Sequence, residues 1–340
     1  MTQGQGLQAP SLPPFRRIEH RLHTRLLTYF TTRLDLMKEK AMILVRPHIL
    51  ATHVLATLVL ACLPQVVEAQ AFPSRPVRMI VAFPPGGGTD IVARIISPKL
   101  GEEIRQQVIV DNRGGADGII GTDLAAKSAP DGHTLFMGTA GNLAINQTLY
   151  TKLPFDIARD FAAISQIVTV DMMLTVNPST PARTVKELIT LAKSQPGKLN
   201  YGSTGTGGIP HLTGALFNRM ADIDIHHVPY KGGGPAMADL IGGHIQVYVQ
   251  SVVQGSGSVK DGRARALAVL GPKRSPLLPD VPIIGDTLPG YEATNWYGLV
   301  VPAKTPAATQ KRIHGDVLKV MRLPEVHGSI VAQGAVPTVG

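Results

Sequence analysis

Cysteine is all but missing from this chain of 340 residues: Cys62 is the only one, and it lies in an apolar segment expected to be removed. A mature chain without cysteine has no disulfide, no thiolate metal site and no thiol nucleophile. A strong excess of one charge is missing too. The formal charge is +9, but residues 1–71 hold eight Lys/Arg against four Asp/Glu, which leaves 25 against 20 in residues 72–340. So mild and scattered an excess does not argue for nucleic acid. There is no Gly-x-Ser-x-Gly elbow and no Walker sequence with a lysine after its last glycine, so neither signature of nucleophilic or phosphate chemistry is present. Residues 202–208 read Gly-Ser-Thr-Gly-Thr-Gly-Gly and miss the dinucleotide spacing, and Asp222 and Asp224 fall in a turn rather than at a strand end. No His-Glu-x-x-His occurs, and His226 and His227, neighbours in a strand, point to opposite faces. No metal and no cofactor are therefore expected. The apolar run 49–63 is about 15 residues, interrupted by Thr52 and His53 and ended by Pro64, which is short for a membrane span.

What is present begins with a targeting segment. Residues 1–41, with Arg16, Arg17, Arg21, Arg25 and Arg33, read as an atypical leader, and the natural start is expected at Met42 or Met37. From Met42, Arg46 and His48 form a short n-region, 49–63 the h-region, and Val67-Glu68-Ala69 or Ala69-Gln70-Ala71 the small-residue cleavage site. Residues 42–71 thus read as a signal peptide. Leu63 and Pro64 follow Cys62 where a lipidated cysteine usually has a small residue, which argues against lipidation.

From Phe72 on, strands and helices alternate with short connections, the pattern of a doubly wound α/β protein. The organising stretch is 77–94. An apolar, β-branched run predicts a buried strand, Pro84-Pro85 stops it, and Gly86, Gly87 and Gly88 free the backbone. Thr89 or Asp90 is then placed to cap a helix predicted over 91–104. Strand, glycine loop and helix N-terminus make a unit whose amides surround a carboxylate or phosphate without any basic residue. Similar junctions follow at 114–121, which carries Asp117, at 203–211, with hydroxyls on both sides of the glycines, and at 229–236. Four such junctions are hard to attribute to turn geometry alone and point to one cleft. Thr139-Ala140-Gly141-Asn142 is a further contact loop at the end of the strand predicted over 133–138, since ligands of open α/β sheets sit at the carboxyl ends of strands. Taken singly, His211 caps or packs against the next helix, with ligand contact as the alternative, and Lys231 is solvated, with anion attraction or a Schiff base as the alternative. Strands are predicted over 161–170 and 172–176, a crossing between domains near Asn177, and a return by a strand over 296–301. Residues 253–261 read as helical or irregular.

These residues resemble a known family. Phe83-Pro84-Pro85-Gly86-Gly87-Gly88-Thr89-Asp90, Val110-Asp111-Asn112-Arg113-Gly114-Gly115-Ala116, Ala129-Pro130-Asp131-Gly132-His133-Thr134-Leu135 and Tyr201-Gly202-Ser203-Thr204-Gly205 are similar to the tripartite tricarboxylate transporter substrate-binding proteins, the Bug family. So are Pro229-Tyr230-Lys231-Gly232-Gly233-Gly234-Pro235-Ala236, Leu278-Pro279-Asp280-Val281-Pro282 and Pro289-Gly290-Tyr291-Glu292, in the family's order over about residues 72–340. The resemblance implies an α/β, two-lobe, periplasmic binding protein type II-like fold with the ligand cleft between lobes. Lobe 1 is expected to comprise 72–176 plus 296–340, and lobe 2 177–295. It further implies a monomeric, non-enzymatic periplasmic receptor that closes on a small carboxylate and delivers it to a tripartite membrane permease. The site residues it implies are Pro85, Gly86, Gly87 and Asp90 from the first loop and Thr139 and Asn142 from the next. Ser203, Thr204, Gly205 and His211 follow from the second lobe, with Gly234 and Ala236 from the last loop.

The chain departs from the family at Val249-Gln250-Ser251, where an acidic residue is often found, which puts recognition of a ligand amino group there in doubt. The family usually continues past Gly340 with a further helix, so a truncated reading frame is expected. Two other roles stay open, a sensor that hands the closed form to a signalling partner and an enzyme drawing its base from Asp90, Asp117 or His211. Nothing in the sequence pairs these three with a nucleophile.

Overall fold

The computed structural model describes residue 29, residues 31–40 and residues 72–339. The chain divides into two units, Met1–Ala69 and Gln70–Gly340. In the first, residues 31–40 are helical and exposed, while the expected signal peptide, 42–71, lies outside the described residues. No helix among the described residues is long and apolar enough to cross a membrane.

In the second unit the first apolar run forms strand β1 (Val77–Val81). Its side chains alternate, so Met79 and Val81 enter one buried cluster, and Ile80, with Ala82 beyond it, enters another on the opposite face with Phe136 and Phe161. A parallel strand buried on both faces reads as a near-continuous apolar run, and this one does apart from Arg78, which is half-buried and pairs with Asp111. β1 pairs in parallel with β2 (Val108–Asn112) and β3 (Thr134–Thr139). β3 pairs antiparallel with β9 (Thr294–Pro302), β9 with β4 (Phe161–Val176), and β4 with β10 (Ala335–Pro337). Helix α1 (Gly88–Ile104) covers the first face together with α7 (Ala307–Met321) and α8 (Pro324–Ala332), through Ile96, Leu100, Val317, Val320 and Ile330. The short helix α2 (Ile119–Ala126) lies on the other face, where Ala125 joins Phe136.

β4 is one strand where two are predicted. An aspartate is a poor strand residue, so Asp171 reads as a break. In the fold Asp171 pairs with Thr294, and the ladder outweighs its local preference. Two register shifts bend β4 against β9, and beyond them Met172–Val176 belong to a second sheet. That sheet runs β8 (Arg265–Val269), β4, β7 (Val247–Ser251), β5 (Asn200–Ser203), β6 (His226–Pro229). The chain returns at Ala293–Thr294, beside its exit, because Ala293 donates to Leu270 O in the second sheet (2.7 Å) and Thr294 already pairs in the first. The two crossings are therefore adjacent, and the outward one precedes Asn177.

Helices α3 (Val185–Ser194) and α4 (Ile209–Ala221) pack Leu188 and Phe217 against one face of the second sheet, with Leu174 and Val249. On the other face α5 (Gly233–Ile241) packs Ala236 and Leu240 against Tyr248. The ambiguous segment 253–261 is helical, as α6 (Val252–Lys260), because Ser251 Oγ accepts the Gln254 N–H at 3.3 Å and caps it.

Candidate functional site

Between the two sheets lies a narrow cleft of about 520 Å³, its mouth included, lined from both sides. Helix N-termini build much of its wall. Gly88 and Thr89 open α1, Ile209 and Pro210 open α4 behind the Gly208 cap, Gly233 opens α5, and Ser251 caps α6. The first N–H groups of a helix have no intrahelical acceptor and carry the positive end of its dipole. In α1 the first such bond is Ile91 N–H to Gly87 O, and in α4 it is Leu212 N–H to Gly208 O, both 3.0 Å. The amides of Gly88, Thr89 and Ile209 come before them. Among the described residues no Lys, Arg or His lines the cleft, so any anion there is held by amides and hydroxyls.

Tyr297 on β9 ties the two sides together. Its hydroxyl and Ser251 Oγ both stand beside Gly88 at the start of α1, and burial pushes the hydroxyl up to about 12, so it is a neutral hydrogen-bonding group at neutral pH. At the rim, Tyr150 Oη donates to Thr206 O at 2.7 Å. A methyl group on Gly232 would fall 2.5 Å from Pro84 Cδ, and one on Gly208 would fall 2.4 Å from Asp117 Oδ1. Backbone meets the facing lobe so closely at these points that only glycine fits. The lobes are closed on one another.

Of the residues named from the sequence, Gly87, Thr139 and Thr204 line the cleft. Pro85 and Gly234 face each other across the lobes, with Pro85 O 3.8 Å from where a Gly234 Cβ would lie. Asn142 is fully buried and turned inward: its Oδ1 accepts from the Thr139 N–H (2.7 Å) and hydroxyl (3.0 Å), and its Nδ2 donates to Asp117 O (3.3 Å). It positions Thr139. The loop expected after β3 is a wide helical turn over Gly141–Ile145.

Ser203, Gly205 and His211 brace the third glycine loop from behind. Ser203 Oγ donates to Gly205 O (2.8 Å), accepts from Gly205 N–H (3.2 Å) and meets His227 Nε2 at 2.7 Å. With that proton given to Gly205, His227 carries its own on Nε2. His211 Nδ1 accepts the Gly207 N–H (3.0 Å), and its ring stacks on His227 at 4.0 Å. Burial pushes both imidazoles down, His227 to about 4 with help from the neighbouring His211 and His226. Both are neutral at pH 7 and support the loop from below. Ala236 is likewise a core residue, buried against Tyr248.

Asp90 corrects the sequence reading most clearly. The cap of α1 is Gly87, with no side-chain bond, and neither Thr89 nor Asp90 fills that place. Asp90 lies in the first turn, almost fully buried, accepting from Gly86 N–H (2.9 Å), Arg94 Nε (3.0 Å) and Asn112 Nδ2 (3.0 Å). Burial alone raises its carboxyl, but these bonds and the Arg94 charge together hold it below the ordinary 3.8. An acid held low in the fold stabilises it fully above the unfolded value, and the contribution is lost as pH falls through the folded value. Asp90→Asn is accordingly expected to melt below the wild type at neutral pH, and the gap to close on acidification. Equal melting temperatures across the acid range would refute this anchoring role.

Several lining residues escaped the sequence reading: Phe83, Met172, Gln254, Asn295 and Tyr297. One signal was there to find. Ser251-Val252-Val253-Gln254 has the spacing of a capping box and marks a helix start without any glycine. Tyr297 carries no local signal, since it enters the cleft only because β9 lies beside β3 and β4. Among the described residues, no group of three His, Cys, Asp or Glu is placed to hold a metal ion.

A two-lobed α/β fold, joined by adjacent crossings and closed over a cleft walled by helix N-termini, defines a solute-binding protein of the periplasmic kind. Residues 92–339 match the family described as tripartite tricarboxylate transporter family receptor, and the chain belongs to it. It is 40% identical over 258 residues to the UPF0065 protein in the tcbD-tcbE intergenic region of Pseudomonas sp. (strain P51), covering 75% of this chain and 76% of that one. It is 34% identical over 275 residues to protein BugT of Bordetella pertussis, covering 80% and 84%. Among solved structures, an R. palustris protein with adipate shares 33% identity at a TM-score of 0.77, over 79% of this chain and 90% of that one. MatC from Rhodopseudomonas palustris, with bound malate, shares 28% at 0.74, over 78% and 90%. The family read from the glycine loops and the two-lobe α/β fold are both borne out.

Proposed function

We propose that this chain is a periplasmic receptor that captures a small organic acid between its lobes by hinge closure and delivers it to a tripartite membrane permease. The observation that carries this reading is the meeting of four helix N-termini on a cleft that, among the described residues, no basic side chain lines. Adipate and malate in the two structural neighbours support the ligand class. The adjacent crossings at Asp171–Met172 and Ala293–Thr294 serve as the hinge, where small dihedral changes swing one sheet against the other. A ligand that touches both lobes favours the closed form by its differential affinity for it. Export through a signal peptide at 42–71 goes with this role, and N-terminal sequencing of the exported protein checks it.

Among the described residues, none of the three bases that the sequence offers an enzyme is paired with a nucleophile. Asp90 is bound to Arg94, His211 holds the Gly207 amide, and both Asp117 carboxylate oxygens lack a hydrogen-bond partner. Thermal denaturation of the ligand-stripped protein against mono-, di- and tricarboxylates tests the receptor reading. A true ligand at a hundred times its Kd is expected to add about 2.7 kcal/mol, which raises Tm by roughly 5–10 °C in a protein of this size. The ligand is expected back chemically unchanged by mass spectrometry. A cooperative melt that none of these acids moves would sink the proposal.

A further inference from the structure

Resting on the receptor reading, we propose that closure of the lobes takes up a proton at Asp117: closing seals its carboxyl against the third glycine loop of the second lobe, so that a ligand is captured more tightly as the pH falls. Asp117 belongs to the first lobe, lines the cleft and is 5% exposed, and neither of its carboxylate oxygens has a hydrogen-bond partner. The facing lobe supplies the seal. A methyl group on Gly208 would fall 2.4 Å from Asp117 Oδ1 and 2.9 Å from Oδ2, and one on Gly205 would fall 3.1 Å from Asp117 Cβ. The two glycines are packed on the acid itself.

The donors around it are engaged elsewhere. Gly205 N–H goes to Ser203 Oγ (3.2 Å) and Gly207 N–H to His211 Nδ1 (3.0 Å), so these amides of the facing loop are spent within the second lobe. On its own lobe, Asn142 and Asn146 donate through Nδ2, at 3.3 Å and 3.5 Å, to the main-chain carbonyl of Asp117 and not to its carboxylate. Ala116 and Asp117 are both held in left-handed backbone, at φ 48°.

An ionised carboxylate buried without a donor is costly, and a proton on it removes the cost. Burial accordingly pushes Asp117 up to about 7. When the lobes part, the glycine loop leaves, water reaches both oxygens, and the acid returns toward its ordinary 3.8. Below 3.8 both forms hold the proton, and above about 7 neither does. Between the two, closing takes one up, and each unit of rising pH weakens the closed form by up to about tenfold. A ligand carboxylate in the cleft acts in the same direction, since a like charge favours the neutral acid. The other titratable groups nearby do not reverse this. Tyr150 at the rim is raised by burial and by the Asp117 charge, so it stays neutral. His211 and His227, behind the glycine loop, are pushed down by burial, and among the described residues no Lys, Arg or His lines the cleft.

Calorimetric titration of the full chain between pH 6 and pH 8.5, in two buffers of different ionisation enthalpy, tests this with adipate, malate and every acid that moves the melt in the carboxylate screen. The wild type is expected to take up about half a proton on binding at pH 7 and almost none at pH 8.5, and to bind about tenfold more weakly at pH 8.5 than at pH 6. Asp117→Asn keeps the shape and makes the group permanently neutral. It is expected to lose the uptake and to bind at least about tenfold more tightly than the wild type at pH 8.5. Its own pH profile carries the ionisation of the ligand and of His211, so the difference between the two profiles reads Asp117 alone. If the variant does not fold, the wild-type proton count decides. Binding without uptake at pH 7, or with release, overturns the inference and leaves the receptor reading standing. So does a pH profile that Asp117→Asn leaves unchanged. If no carboxylate binds at any of these pH values, both fall.

Discussion

Replacing Gly88 with alanine is expected to abolish ligand binding while the protein stays folded. A methyl group there would sit 2.5 Å from Tyr297 Oη and 2.7 Å from Ser251 Oγ, closer than real Cβ contacts come. Tyr297 is buried at 3% exposure and cannot swing away, so the strain must push the start of α1 away from Tyr297 and Ser251. The first amide of α1 then no longer faces the second lobe at the same distance, and a ligand held by both sides loses one of them. A loss of two such charge-assisted bonds corresponds to roughly a hundredfold or more in Kd. Within α1 itself alanine is the better helix former by about 1 kcal/mol, so the lobes are not expected to unfold. Calorimetric titration with a melt of the same sample reads both quantities. Adding Tyr297→Phe and Ser251→Ala removes the two atoms that the methyl group meets. If Gly88→Ala alone binds as the wild type does, Gly88 is not at the closing surface.

Phe136→Ala is expected to have the largest effect on stability. Phe136 is fully buried on β3, with its ring 5.8 Å from that of Phe161 and stacked on it, on the face that Ile80, Ala82 and Val300 share. Truncation removes apolar burial and leaves a void that the paired strands on either side of β3 keep from collapsing. Such changes cost about 3–5 kcal/mol, or roughly 10 °C in Tm at this size. Denaturant unfolding is expected to show a lower midpoint at an unchanged slope. Ile120→Ala, at a residue 56% exposed, is the control and should stay within about 0.5 kcal/mol. Equal effects from the two would mean that the second face of the first sheet is not a packed core.

Much of this was legible because it is local. The run Val77–Val81 reads as a strand since a short, mostly apolar run and the Pro84-Pro85 that stops it are written in neighbouring residues. The glycine loops read as helix starts since a turn and a helix cap occupy only a few positions. Thr184 and Glu187 show the same economy, with Thr184 Oγ1 accepting the Glu187 N–H that caps α3. Asp171 was misread for the same reason: locally it breaks a strand, and only its partner Thr294, far along the chain, makes it part of one. The Asp90–Arg94 pair stands at the spacing of helix neighbours and was legible in principle.

By itself the sequence determined the α/β alternation, the four glycine junctions, the family and three cleft residues, Gly87, Thr139 and Thr204. The tertiary structure decided which side of each junction faces the ligand. Ser203 and Ser251 both stand at strand ends beside helix starts, yet Ser203 turns back to His227 while Ser251 lines the cleft with Tyr297. Gly88, Ser251 and Tyr297 come together only when two sheets close on a pair of adjacent crossings, as do Asp117 and the glycines at 205 and 208. Short-range patterns record backbone preferences and burial. Which polar groups face each other across a cleft depends on how distant segments pack, and no spacing in the sequence carries that information.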